Sequence, residues 1–338
     1  MRKNTSTPSC YQVGVSWPIT WDDIVAARRR IAPHLSPTPL RRYAPLDEAV
    51  GHDIRVLVKH ENHLPTNAFK ARNAISFMTA LEPAQRTRGV VAATRGNHGA
   101  GLAWAGSELG VPVVICVPHG NNPEKNAAMR GFGAELIEAG RDYDEAVEVA
   151  KRTVLDRGMV LAHSTNDANV IAGAGTLGAE ICEQAPELDA IVVAVGGGSQ
   201  AVGALTAARA LRPNVAVYGV QAANASAIHD SWHEKTRLTR ETANTFADGL
   251  ATRATYDLTW PALRDGLTGF VAVPESAMAE AIRVLLRTTH NLAEGAGAAG
   301  LAGLFALREQ LAGKTVAIIL SGSNIDEATL RRVLTGDL

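Results

Sequence analysis

From residue 54 to residue 320, short runs rich in β-branched residues alternate with helix-length stretches. The runs are "IRVLVKH", "GVVAAT", "VPVVICVP", "AELIEAG", "VLAH", "AIVVAVGGG", "VAVYGVQ", "GFVAVP" and "TVAIILSGS". Between them, helices are predicted from about residue 70, at 98 to 109, 123 to 132, 143 to 157 and 173 to 184, after 198 to about 211, at 276 to 288, and in a small-residue stretch near 295. Such alternation marks consecutive βαβ units and predicts parallel sheet. Ahead of the series, "WDDIVAARRRIAP" (21 to 33) reads as a helix with Asp22 and Asp23 in its first turn and a proline stop, and "SPTPL" reads as extended chain. Residues 223 to 255 lose the rhythm and are expected to form a long irregular segment.

Composition narrows the possible partners. Lys plus Arg (33) nearly equals Asp plus Glu (34), so the net charge of -1 gives no field for steering toward nucleic acid or anionic lipid. Neither an 18-residue apolar run nor an apolar leader core is present, so a cytoplasmic protein without membrane partners is expected. Cys10, Cys116 and Cys182 are odd in number and widely spaced, and read as reduced thiols without a disulfide.

The stretch "PTNAFKARNAISFMTAL" (65 to 81) raises the chemical question. Counting from Lys70, Ala74, Phe77, Met78 and Leu81 share one helix face, which puts an ammonium on an apolar stripe. A lysine there is paired or has given up its charge. Three glycine-rich turns, "TRGNHGAG", "VGGGSQ" and "LSGSN", follow strands, the first two cleanly opening helices, where backbone amides converge on anions. "GGGSQA" also fits the dinucleotide pattern G-x-G-x-x-A, but the following strand ends in Gln221 rather than an acid for the ribose. A neutral-prone lysine with an anion-binding turn points instead to pyridoxal 5'-phosphate, an aldehyde that also carries a phosphate.

The motifs "PTNAFKARNA", "ATRGNHGAG", "VAVGGGS", "FADGLA", "AEGAGAAG" and "LSGSNID" stand in the order and spacing of the threonine dehydratase and serine racemase group, so the chain resembles a fold-type II pyridoxal phosphate enzyme over roughly residues 35 to 330. The resemblance implies an α/β, tryptophan synthase β-like fold of two domains, a large one from 1 to 75 and 167 to 338 and a small one from 76 to 166, and a homodimer. It implies that Lys70 carries the cofactor as a Schiff base and takes the substrate α-proton, with Phe69 packed beside the ring. Asn97 would meet the ring 3'-oxygen, and Thr94, Asn97 and His98 would present the turn for the substrate carboxylate. Gly196, Gly197, Gly198 and Ser199 would cradle the phosphate, Ser199 standing where relatives commonly have glycine. Ser321 would face the pyridine nitrogen, while Gly249 and Glu294 would line the ring edge. A hydroxyl rather than a carboxylate at the ring nitrogen suits β-elimination over transamination.

Departures from the family sharpen the expectation. Arg95 stands where racemases have a second-face serine base, and arginine does not deprotonate. As part of the substrate-binding turn Arg95 either points inward, where its planar fork could take the second carboxylate of an acidic substrate, or outward or along the domain edge, the placement expected because no adjacent acid could pair with it inside an empty site. Ala68 replaces the serine two before the Schiff-base lysine, Ser323 replaces a glycine, and Gln221 and Ala227 replace two carboxylates that hold a divalent cation in many relatives, so no metal is expected. The H-x-x-H pair His60 and His63 lacks a third ligand and is not read as a metal site. The sequence runs 17 residues past Ser321, so a C-terminal regulatory domain like that of biosynthetic threonine dehydratases is not expected. The expected activity is an ammonia-lyase acting on a β-hydroxy amino acid, threonine or serine by default, with 3-hydroxyaspartate, a β-replacement reaction or racemisation as alternatives.

Overall fold

The computed structural model describes residues 17–338; the polar tail and Cys10 lie outside the described residues. Among the described residues ten strands form two sheets. The larger has the order β1 (Leu40–Arg42), β2 (Arg55–His60), β10 (Thr315–Leu320), β7 (Ala190–Ala194), β8 (Ala216–Ala222), β9 (Gly269–Val273). The smaller has the order β5 (Glu135–Glu138), β4 (Val113–Val117), β3 (Val90–Ala93), β6 (Val160–Leu161). All neighbours run parallel except β1, which pairs antiparallel with β2; the "SPTPL" segment thus ends as an edge strand rather than as plain extended chain.

Both faces of the large sheet are covered, which explains its continuous apolar runs. Along β7, Ala190, Val192 and Ala194 face one core, and Ile191, Val193 and the following Val195 face the other. At roughly 1.5–3 kcal/mol per buried Val, Leu or Ile, such double-sided burial is the main stabilising contribution. Cys116 and Cys182 are buried free thiols, and no helix among the described residues is long and apolar enough to cross a membrane.

Several boundaries move for visible reasons. The first helix runs Trp21–Ile31, opened by a Thr20–Asp23 capping box. The helix expected from 173 begins at Ala168, because the Asp167 carboxylate accepts from the Asn169 and Val170 amides and caps it earlier. The segment 223 to 255 is not wholly irregular: it contains the helix Ala227–Glu234 and short turns at Ala223–Ala225 and Asp248–Leu250.

The Lys70 helix (Lys70–Ala80) differs most from expectation. It is not one-faced: residues from Ala71 to Met78 are all buried, and Leu81 leaves the helix in an extended conformation. The helix lies between Asn97–Leu109 and Ala168–Gln184, so no side is left for water. Its polar residues therefore need internal partners. Arg72, 1% exposed, donates to both carboxylate oxygens of Glu61 at 2.7 and 3.0 Å and to both of Glu180 at 2.6 and 2.8 Å. Lys59 joins the network through Glu180 at 2.6 Å and the Thr38 carbonyl at 2.8 Å. Burial alone would raise the Glu180 carboxyl, but Arg72 and Lys59 outweigh it and hold the group ionised.

Replacing Arg72 with methionine leaves Glu61 and Glu180 facing each other with Lys59 as the one remaining cation of the network. Breaking a buried pair in this way costs about 3–5 kcal/mol, so Arg72→Met is expected to lower the urea midpoint sharply. An unchanged midpoint would show that the network is dispensable.

Candidate functional site

The sequence "PTNAFK" turns sharply before the Lys70 helix. Asn67 takes a φ of 54°, which asparagine tolerates. Ala68 then bridges Gly322, and the Phe69 amide donates to the Ser321 carbonyl at 2.9 Å. Those two contacts tie the start of the helix to the end of β10 and bring Lys70 and Ser321 into one cavity of about 430 Å³, a volume suited to a cofactor with a small substrate. Every residue given a cofactor or substrate role from the sequence lines this cavity: Phe69 and Lys70, Thr94 to His98, Gly196 to Ser199, Gly249, Glu294 and Ser321.

Among the described residues no carboxylate pairs with Lys70; its Nζ donates to the Ser164 carbonyl at 3.1 Å and lies 4.9 Å from the Phe69 ring centroid. Desolvation lowers its pKa to about 8. Half the molecules then carry a free amine near that pH, the form that attacks an aldehyde.

Opposite, the turn after β7 opens the helix Ser199–Leu211. Gly198 adopts a φ of 100° at the cap, and a Cβ on Gly196 would stand 2.0 Å from the Gly249 carbonyl oxygen. The turn is thus a cradle that only glycine permits, with helix N-terminal amides directed at an anion. Ser199 is buried, and its Oγ accepts from Asn73 Nδ2 at 3.4 Å.

The "TRGNHG" turn opens the helix Asn97–Leu109. Thr94 Oγ1 accepts from the Gly96 amide at 3.3 Å and shapes the turn. Asn97 donates to Glu294 at 2.6 Å and accepts from Asn324 at 2.7 Å, a chain that links the two sheets across the cavity floor. Burial raises the Glu294 carboxyl, partly offset by the Lys125 charge and the Asn97 bond. His98 bonds the Ala162 carbonyl through Nε2 at 3.0 Å; burial, then the Lys70 charge, push its pKa down to about 3, so it stays a neutral donor to the backbone. Ser321 Oγ reaches the Ala296 carbonyl at only 3.4 Å, which leaves the hydroxyl free to turn toward a ring nitrogen. Arg95 lines the cavity at its mouth near Tyr143, where it is exposed and has no ion pair among the described residues.

Sequence reasoning missed Asn324, Ser164 and Gln200. Asn324 sits inside the quoted "LSGSN" and could have been found there, whereas Ser164 acts through its carbonyl and leaves no trace in residue type. The His60 and His63 rings stack at 4.7 Å; His60 is bonded to Tyr43 and Asn62, and His63 to Asn291. Gln221 Oε1 accepts from the Ile228 and His229 amides at 3.1 and 2.9 Å, capping the helix that begins at Ala227. Among the described residues no three metal-ligating side chains cluster.

A free amine for an aldehyde, a glycine cradle for a phosphate and a hydroxyl for a ring nitrogen fit pyridoxal phosphate. The comparisons agree. Residues 31–322 match the pyridoxal-phosphate dependent enzyme family. The L-threonine ammonia-lyase of Thermotoga maritima is 38% identical over 320 residues, covering 95% of this chain and 79% of the relative. The L-threo-3-hydroxyaspartate ammonia-lyase of a Pseudomonas species is 31% identical, covering 94% of this chain and 99% of the relative. Maize serine racemase superposes with a TM-score of 0.89 at 30% identity, covering 95% of this chain and 98% of that one. The chain therefore belongs to the pyridoxal-phosphate dependent enzymes, in their fold-type II branch, with pyridoxal 5'-phosphate as its cofactor.

Proposed function

We propose that this protein is an ammonia-lyase that removes water from a β-hydroxy α-amino acid with a neutral side chain, threonine or serine, releasing a 2-oxo acid and ammonia. The observation that carries the reading is the Lys70 amine, held near neutrality without a carboxylate partner and facing the same cavity as the Ser321 hydroxyl. The cofactor, when bound, links to the substrate amine and withdraws electrons, which acidifies the Cα proton. Lys70 is the base that takes that proton, and the Ser164 carbonyl holds its Nζ in reach. The amides of the Thr94–His98 turn receive the substrate carboxylate at a helix N-terminus. Ser321 offers the ring nitrogen a neutral partner, which disfavours a long-lived carbanion and leaves expulsion of the β-hydroxyl as the fast outcome. The enamine released then hydrolyses in water.

Arg95 decides between rival activities. Its guanidinium stays protonated and sits at the mouth, so it supplies no second base for racemisation. An exposed, hydrated guanidinium also adds little to recognition of a second carboxylate, which favours threonine or serine over the acidic substrate of the 3-hydroxyaspartate relatives. At the place of the family's cation site, Gln221 already spends its oxygen on two amides and Ala227 has none to give, so we read the enzyme as metal-independent. On the resemblance we further read it as a cytoplasmic homodimer of two-domain subunits that binds neither nucleic acid nor membrane.

Borohydride reduction of the yellow holoenzyme is expected to fix the cofactor on Lys70 alone, and Lys70→Ala to lose elimination by several orders of magnitude. Because desolvation lowers the Lys70 pKa to about 8, cofactor uptake by the apo-enzyme should quicken as pH rises toward 8 and level off above it. Label on another lysine would refute the assignment. Arg95→Ser is expected to keep threonine turnover within a few-fold, and a selective loss of 3-hydroxyaspartate turnover would reverse the substrate preference. Chelator treatment should leave activity and Tm unchanged; a loss restored by magnesium or calcium would return the cation to the site.

A further inference from the structure

Gln200 is the second residue of the helix Ser199–Leu211, immediately behind the glycine cradle. It lines the cavity, is 3% exposed, and its side-chain nitrogen is buried without a hydrogen-bond partner. A buried amide nitrogen left idle is costly, and its natural complement is an oxygen-bearing ligand in the cavity it lines. Beside it, Ser199 Oγ accepts from Asn73 Nδ2, so the serine's own proton is free to be donated. Asn73 lies three residues after Lys70 on the same helix, fully buried, with its Oδ1 also unpartnered. Three polar side chains are thus gathered at a helix N-terminus where simple turn geometry needs none of them.

We propose that the Gln200 side-chain amide is a direct ligand of the cofactor phosphate, with the Ser199 hydroxyl as a second donor whose direction Asn73 sets. This rests on reading the cavity as the pyridoxal phosphate site, and adds to the glycine cradle a built seat of neutral donors. Charge-assisted hydrogen bonds from such donors strengthen retention of the phosphate without any cation beside it. The Asn73 bond also couples the Lys70 helix to the phosphate turn, so cofactor aldehyde and phosphate are gripped from one rigid unit.

The test compares pyridoxal 5'-phosphate with pyridoxal, which lacks the phosphate, in titrations of apo-enzyme followed by absorbance. Gln200→Leu is expected to weaken the phosphorylated form by roughly ten- to a hundredfold and to leave pyridoxal within about twofold. Gln200→Asn keeps a polar side chain in the fold but withdraws the amide, and should show the same selective loss. Inorganic phosphate should slow cofactor uptake competitively in the wild type and much less in both variants, and the ³¹P resonance of the bound cofactor should move in Gln200→Asn. Equal weakening of both aldehydes would assign Gln200 a structural role and overturn the inference, as would unchanged affinity. A wild type that binds neither aldehyde at Lys70 would instead overturn the cofactor reading itself.

Discussion

Arg72 is the residue on which the site's geometry depends. It lies two positions past Lys70 on a helix with no solvent face, and its guanidinium is shared between Glu61, just after β2, and Glu180, on the helix Ala168–Gln184. A buried guanidinium flanked by two carboxylates contributes little net stability over a well-packed apolar equivalent, since desolvation offsets most of the attraction. Its effect is directional. A planar fork with four short bonds admits one rotation and one translation of the helix, whereas apolar packing would tolerate several. Lys70 projects from the first turn, where a small rotation would swing its Nζ out of the cavity, so the helix is fixed where precision matters most.

The same logic orders the rest of the cavity. Its floor is made of strand ends and helix starts joined by short polar links: Phe69 to Ser321, Glu294 to Gly322, and Asn324 to both Asn97 and the Thr66 carbonyl. Its mouth is spanned by two ion pairs, the exposed Arg253 with Asp144 and the half-buried Lys125 with an exposed Asp248. Exposed pairs of this kind are worth about 0–1 kcal/mol and weaken further in salt. The reacting groups thus sit where the polar links are buried and close, and the weaker ion pairs lie at the mouth.

What the sequence revealed follows from which interactions are local. The βαβ rhythm is written in runs of neighbouring residues, and the glycine turns in spacing that a close backbone approach requires, so both were readable before any coordinates. The caps were less so: Asp167 opens its helix five residues ahead of the expected start because a single carboxylate outweighs a stretch of indifferent propensity. The all-round burial of the Lys70 helix was not readable, since it depends on two other helices closing over it, and the partner of Arg72 was not readable either, since Glu180 stands 108 positions away. Ser164 contributes only a carbonyl, which every residue has.

Polar side chains scattered along the chain form sets once they are seen in space. Asn73 and Ser199 are distant in sequence yet bonded to each other, and Gln200 adds an unsatisfied donor at the same place. Gln221 and Ala227 likewise belong together: the Gln221 amide oxygen caps the helix that begins at Ala227. In both places the polar group is a neutral amide. An amide carries no net charge, so it needs no counter-ion and its pairing does not change between pH 5 and 9. Lys70 has its pKa depressed by desolvation alone, with no carboxylate partner, which is the condition a base needs if its proton is to be moved by the reaction rather than by its surroundings.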